Sequence, residues 1–377
     1  MDRACDGHRV LAKGRFQDLL NLLQEDGFEV VGPRVEQGAI VYGPIREAKE
    51  LPIGWTDRQE AGTYRLLRRE DDAYFGYAVG PHSWKQYLFP PTLRLLEARR
   101  TREGFTVREV EHEPPRRAFL GVRACELQAI AVQDRVFMDR EGYTDPHYAN
   151  ARARLFIVAV ECEHPGGTCF CTSMGTGPAV GGGFDLALTE LDDAFVVRSG
   201  SDGGHSVLSR LGLEAASEQQ ITEARRRVAK AAAAMGRSVD VTDIRNLLHR
   251  NQEHPRWQDV ADRCLSCTNC TLVCPTCFCS SVEDVNDLSL ERTERVRRWD
   301  SCFNPEFASV HGGNFRPTIR GRYRQWLTHK FASWYDQFGV SGCVGCGRCI
   351  TWCPVGIDVT EEISAIRASD GQRKEQG

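Results

Sequence analysis

The sequence predicts an α/β N-terminal region joined to an α-helical C-terminal domain. Three observations carry this: a strand–helix–strand pattern between residues 118 and 160, helical spacing from about Ser217 onward, and eleven of the sixteen cysteines crowded into residues 264–353. The length of 377 residues allows two or three domains. They read as an α/β region over 1–112, an α/β region carrying a middle group of cysteines over 113–213, and a helical domain over 214–377. Charged residues are 27% of the chain and apolar ones 41%, ordinary for a globular protein. A formal charge of −4 argues against a general nucleic-acid binder, and no apolar run approaches a bilayer span, so no transmembrane segment is expected. The polar start Met1-Asp2-Arg3-Ala4-Cys5 resembles no export signal, which predicts a cytoplasmic protein whose cysteines serve something other than disulfides.

Taken in order, residues 16–24 have helical spacing, with Phe16, Leu19, Leu20 and Leu23 on one side. Short apolar stretches at 28–31 and 39–42 read as strands. Residues 64–67 and 74–77 flank Glu70-Asp71-Asp72 and read as a hairpin. Ala118 to Val122 and Leu155 to Val160 are buried-type strands separated by a helix over 126–137, the pattern of a parallel crossover unit. Cys125 and Cys162 follow those two strands, at the carboxyl edge where open α/β sheets place ligands. Ser217-Glu218-Gln219-Gln220 has capping-box spacing ahead of an Ala-rich helix, and another helix is expected over 317–338.

The chemistry is set by a repeat. Cys264-x2-Cys267-x2-Cys270-x3-Cys274-Pro275 recurs as Cys343-x2-Cys346-x2-Cys349-x3-Cys353-Pro354. Two-residue gaps let three thiolates wrap one [4Fe-4S] cubane, while the fourth cysteine, followed by Pro, points to the neighbouring cluster. The expected ligand sets are therefore crossed: Cys264, Cys267, Cys270 and Cys353 for one cluster, Cys343, Cys346, Cys349 and Cys274 for the other. The C-terminal domain is thus expected to be an α-helical dicluster (2×[4Fe-4S]) ferredoxin domain. A pair of zinc ribbons is the competing reading, but zinc ordinarily takes two C-x2-C knuckles per ion, not this four-cysteine run.

Cys125, Cys162, Cys169 and Cys171 supply thiolates for a third cluster, with Gly166 and Gly167 letting the backbone fold closely around it. Buried packed thiols are the alternative. Cys277, Cys279 and Cys302 are left over. They read either as ligands of a further cluster completed by an oxygen or nitrogen atom, Asp300 being nearest, or as packed thiols. Between residues 290 and 350 ten Arg and Lys face five acids. About half read as a solvated helix face and the rest as compensation for anionic clusters. The stripe Arg320, Arg322, Tyr323, Arg324, Trp326 and Lys330 also imitates a nucleic-acid surface, against the acidic balance of the whole.

Several segments together resemble a known family: Gly121-Val122-Arg123-Ala124-Cys125-Glu126-Leu127, Cys169-Phe170-Cys171-Thr172-Ser173-Met174-Gly175, Cys274-Pro275-Thr276-Cys277-Phe278-Cys279, Trp299-Asp300-Ser301-Cys302-Phe303 and Gly345-Cys346-Gly347-Arg348-Cys349. They look like the iron–sulfur beta subunit of soluble NAD(P)-linked nickel-iron hydrogenases, the sulfhydrogenases; the electron-transfer subunit of anaerobic sulfite reductases is similar. Gly80-Pro81-His82-Ser83-Trp84-Lys85 and Leu88-Phe89-Pro90-Pro91 extend the likeness toward the N-terminus, and Ala124 departs from it where Pro is expected. The resemblance implies an electron-transfer subunit of a multi-subunit oxidoreductase. Its partners would be a flavin-containing NAD(P)H oxidoreductase subunit on one side and the nickel-iron hydrogenase small and large subunits on the other, or a sulfite-reducing subunit. No site for H2 or NAD(P) chemistry is expected on this chain, since no nickel-binding pattern and no convincing nucleotide loop is visible. A redox-sensing regulator would need a DNA-reading helix-turn-helix, which is not found. An autonomous reductase would need an open iron site at the middle cysteines.

Overall fold

The computed structural model describes residues 7–138, 142–289 and 291–370. Its centre is an eight-stranded sheet with the spatial order Glu214–Ala215, His8–Ala12, Ala194–Ser199, Leu186–Glu190, Leu155–Val160, Arg117–Val122, Glu29–Glu36, Ala39–Pro44. The four strands from Leu186–Glu190 to Glu29–Glu36 run parallel, and antiparallel strands close both sides. Arg117–Val122 and Leu155–Val160 are buried beyond their first residues, as strands covered on both faces must be. Phe16–Glu25 lays Phe16, Leu19, Leu20 and Leu23 on one face of the sheet, beside Asp202–Leu211. Ala124–Phe137 covers the other face and meets Trp84, Phe89 and Trp334 in a second core.

The expected crossover unit is present: the helix begins at Ala124, immediately after Arg117–Val122, and Leu155–Val160 pairs parallel to that strand. Two expectations are corrected. Residues 64–67 do form a strand, Thr63–Arg68, but it pairs with Trp55–Glu60 instead of with residues 74–77. The backbone at 74–75 is occupied otherwise: the Glu190 carboxylate accepts from Tyr74 N at 2.7 Å and from Phe75 N at 2.9 Å. The helix expected over 317–338 begins at Ile319, capped by Thr318, and is interrupted by a π-helical turn, His329–Ser333, before Trp334–Phe338.

Within the stretch expected to be helical, Ser280–Asn286 and Arg292–Trp299 form a hairpin that adds to Thr92–Thr101 and Gly104–Glu109 as a four-stranded antiparallel sheet. Its register is held by cross-strand ion pairs: Arg292–Glu97 at 2.7 Å, Arg94–Glu294 at 2.9 Å and Arg295–Asp284 at 2.8 Å. Charge pairing rather than apolar alternation marks these strands, which hides them from a hydrophobic-period reading. The remaining core gathers Leu247, Leu248, Trp257, Phe303, Trp326, Leu327, Phe331, Ile350 and Ile363 around the cysteine motifs. No helix among the described residues is long and apolar enough to cross a membrane.

Candidate iron–sulfur sites

The two cysteine motifs have the same local construction. Cys264 terminates Arg256–Arg263, Ser266 and Thr268 take left-handed φ values of 53° and 69°, and the short helix Asn269–Leu272 carries Cys270. In the second copy Gly345 and Gly347 take φ values of 64° and 75°, and Arg348–Thr351 carries Cys349. In both, the backbone N–H two residues on donates to the first sulfur at 3.4 Å: Ser266 N to Cys264 Sγ and Gly345 N to Cys343 Sγ. Such N–H···S bonds favour the thiolate form that a metal needs.

Burial, first of all, pushes the Cys270 thiol up, followed by the negative charge of Cys264, Cys353 and Cys267 and only then of Cys274. Cys349 is likewise raised by burial, then by Cys343, Cys346 and Cys274, with Cys270 last. The fourth cysteine of each motif therefore lies nearer, electrostatically, to the three-cysteine loop of the other copy. Cys264, Cys267, Cys270 and Cys353 line a common cavity together with Cys349, Phe303, Tyr323 and Trp326.

The middle cysteines come together at the carboxyl edge of the parallel sheet. Burial and then Cys162 and Cys346 push Cys171 up to about 12, while Cys169 is raised by burial, Cys162 and Cys171. Cys125, on the first turn of its helix, is raised by burial and then by Cys171 and Cys346. Glycines keep side chains away from the sulfurs: a Cβ on Gly177 would lie 3.2 Å from Cys171 Sγ, and one on Gly166 3.5 Å from Cys169 Sγ. Buried thiols pushed upward become thiolates when a metal displaces the proton, and convergent soft thiolates in a glycine-lined cradle fit iron–sulfur clusters. Among the described residues no three or more His, Cys, Asp and Glu side chains draw in closely enough for a single metal ion. A cluster of several irons spaces its thiolates more widely than one ion does.

This group abuts the second motif. Phe170 N donates to Gly345 O at 2.8 Å, and a Cβ at Gly347 would lie 2.5 Å from Thr168 O, so glycine is required there. Thr351 Oγ1 meets Thr168 Oγ1 at 2.7 Å and donates to Gln59 Oε1 at 2.8 Å. Arg348, fully buried between Cys346 and Cys349, pairs with buried Glu126 at 2.5 Å. Its guanidinium also donates to Gly80 O at 2.8 Å and His82 O at 2.9 Å. Glu126 accepts further from Tyr42 OH and Trp84 Nε1. The segment Gly80 to Trp84 thus anchors the cation that separates the two thiol groups.

Cys277, Cys279 and Cys302 gather on the other side of Cys274. The side-chain hydrogen bond with Cys302 brings Cys279 down to about 7 and raises Cys302, and the one with Cys277 holds Cys274 well below the ordinary thiol range. Asp300 is turned away into its own loop, accepting from Ser301 N at 2.7 Å and Asn304 Nδ2 at 3.1 Å. Two lysines converge here. Lys330 Nζ lies 3.2 Å from Cys274 Sγ and 3.5 Å from Cys277 Sγ, and donates to Gly342 O at 3.1 Å. Lys85 Nζ donates to Cys277 O at 3.2 Å and caps the Trp299 ring at 3.9 Å.

Of the ten basic residues of 290–350, Arg322, Lys330 and Arg348 face these thiols, and Arg316 lines a cavity with Cys279 and Cys302. Arg292, Arg295, Arg297, Arg298, Arg320 and Arg324 pair with carboxylates instead. Nothing local in the sequence marks Lys85, or Arg123 facing Cys162, as a cation at the sites; their presence in segments that carry the family likeness is the one signal.

The 4Fe-4S dicluster domain family matches residues 263–357. Across 341 residues the chain is 31% identical to the protein named sulfhydrogenase 2 subunit beta from Pyrococcus furiosus, covering 89% of this chain and 94% of that one. No solved structure matches.

Proposed function

The chain belongs to the sulfhydrogenase beta-subunit family, an iron–sulfur electron-transfer subunit of hydrogenase type, and from that premise we propose that it relays electrons between a flavin-containing NAD(P)H subunit and a nickel-iron hydrogenase small subunit. The observation that carries the reading is the continuity of its thiols. The middle group packs with the second motif at Cys125, Cys171 and Cys346, and the second motif shares a core with the first at Cys343, Cys349, Cys353, Cys264 and Cys270. The first motif reaches solvent at exposed Cys267.

Bound [4Fe-4S] clusters supply one-electron carriers. The ligands proposed are Cys264, Cys267, Cys270 and Cys353 for the outer position, Cys343, Cys346, Cys349 and Cys274 for the central one, and Cys125, Cys162, Cys169 and Cys171 for the inner one. The chain's own work is to hold these positions in series, to exclude water and to place charge. Phe303, Tyr323 and Trp326 line the outer cavity with aromatic surface. Arg348 and Lys330 put buried positive charge at the central position, which favours the reduced, more anionic state there. Tagged native chain, purified under anaerobic conditions, should bring down hydrogenase and flavin subunits and couple H2 oxidation to NAD(P)+ reduction. Recovery of a sulfite-reducing complex, or of a chain that turns over a substrate alone, would overturn this reading.

A further inference from the structure

Cys277, Cys279 and Cys302 belong to none of the three groups of the relay, yet the fold brings them together. Cys279 immediately precedes strand Ser280–Asn286, and across the hairpin Asp300 N donates to Cys279 O at 2.9 Å, with Cys302 two residues further on. Cys279 and Cys302 line one cavity, and Lys330, whose Nζ stands 3.5 Å from Cys277 Sγ, lies in the π-helical turn beside it. Lys330 and Lys85 are both buried here, Lys330 Nζ against Cys274 Sγ, Cys277 Sγ and Gly342 O, and Lys85 Nζ against Cys277 O and the Trp299 ring. Burying an ammonium is costly unless an anion compensates it. Lys330 Nζ faces Cys274 Sγ at 3.2 Å and Cys277 Sγ at 3.5 Å, so the nearest source of negative charge for it is sulfur. Beside the three thiols a cavity is lined by Cys279, Cys302, Arg316, Gln325 and His329, and Arg316 Nε is buried in the fold without a hydrogen-bond partner. His329 and Lys330 open the π-helical turn, a device that recurs at functional sites.

We propose that Cys277, Cys279 and Cys302 hold a fourth iron–sulfur cluster, whose remaining corner opens on this cavity and takes a small anion drawn by Arg316. It rests on the relay reading, because it adds a branch to the same series at Cys274. The test uses the full chain in its native complex, kept anaerobic. Cys302→Ser and Cys279→Ser should each lower iron by about four per chain and remove one paramagnetic component, while the components lost in Cys264→Ser and Cys343→Ser persist. Potassium cyanide should alter only the component that Cys302→Ser removes, and Arg316→Gln should weaken that response at least tenfold. Unchanged iron in both serine variants, a Cys279–Cys302 disulfide in the anaerobic protein, or indifference of every component to cyanide would overturn the proposal. Those results with three clusters retained leave the relay standing; a chain without iron sinks the relay itself.

Discussion

In the first cysteine motif Leu265 is 62% exposed, Cys267 faces solvent and both left-handed positions are filled by side-chain-bearing residues, Ser266 and Thr268. In the second, Cys343 and Cys346 are buried, Arg348 is fully enclosed and the left-handed positions are Gly345 and Gly347. The backbone is the same and the surroundings are opposite. The second copy is pressed against Thr168 to Cys171, where a Cβ would collide with carbonyl oxygens, whereas the first meets Phe303 and Arg322 through the Ser266 side chain. The fifth position after each leading cysteine shows the same contrast. Asn269 is exposed and reaches only Trp352 O at 3.3 Å; Arg348 is the buried cation held by Glu126. The fold gives one local motif two surroundings, one open to solvent and one enclosed.

The largest effect should come from the fourth cysteines. Cys353→Ser should perturb the paramagnetic signal of the cluster on Cys264, Cys267 and Cys270, and Cys274→Ser that of the cluster on Cys343, Cys346 and Cys349. If each lesion alters the signal of its own motif alone, the two copies are independent and the comparison fails.

Next is Arg348→Gln, which leaves Glu126 buried without its cation and should cost about 3–5 kcal/mol, whereas Asn269→Ala at the matching outer position should cost no more than about 1 kcal/mol. Thermal unfolding of the two variants at one scan rate measures the asymmetry. Equal losses would show that the two surroundings do not differ energetically.

A smaller effect is expected at the outer face. Leu265→Asp should weaken docking of the redox partner about tenfold, roughly 1.4 kcal/mol, with iron content unchanged. A titration of the variant against the isolated partner subunit reads this directly, and undiminished affinity would place docking elsewhere.

The smallest effect concerns Glu163, beside the middle cysteines. Desolvation raises its carboxyl to about 7 even though Arg227 pulls it down, and its Oε1 is buried without a partner. A carboxyl whose folded pKa exceeds its unfolded one stabilises most in the protonated state. Its contribution is therefore complete below about pH 4 and is lost as the pH rises toward 7. Glu163→Gln should remove that slope and raise the unfolding temperature at pH 8 relative to pH 5. A variant that follows the wild-type pH dependence would show that the group does not titrate there.

The crossover strands and the cysteine repeat were legible because each is a local pattern: short apolar runs bounded by a helix, and fixed spacing before Pro. Convergence of Cys125 and Cys162 with Cys169 and Cys171 followed from where parallel strands end. What stayed hidden depends on distant partners. Strands Ser280–Asn286 and Arg292–Trp299 are stabilised by ion pairs with Thr92–Thr101, almost two hundred residues away, and carry no apolar period. The backbone of Tyr74 and Phe75 is claimed by Glu190, which no local reading of a hairpin could supply. The basic bias of residues 290–350 was visible as composition. That Lys330 and Arg348 face sulfur while Arg320 and Arg324 share Glu253 on the surface is decided by which face each helix turns inward.

A chain built as a series of iron–sulfur positions carries a fixed load of metal, which the content of iron and acid-labile sulfide in anaerobically purified protein reads out. Three four-thiolate positions predict about twelve of each per chain, and about sixteen if Cys277, Cys279 and Cys302 also hold a cluster. Stoichiometric zinc in place of iron, or fewer than about eight irons in freshly isolated complex, would contradict the account.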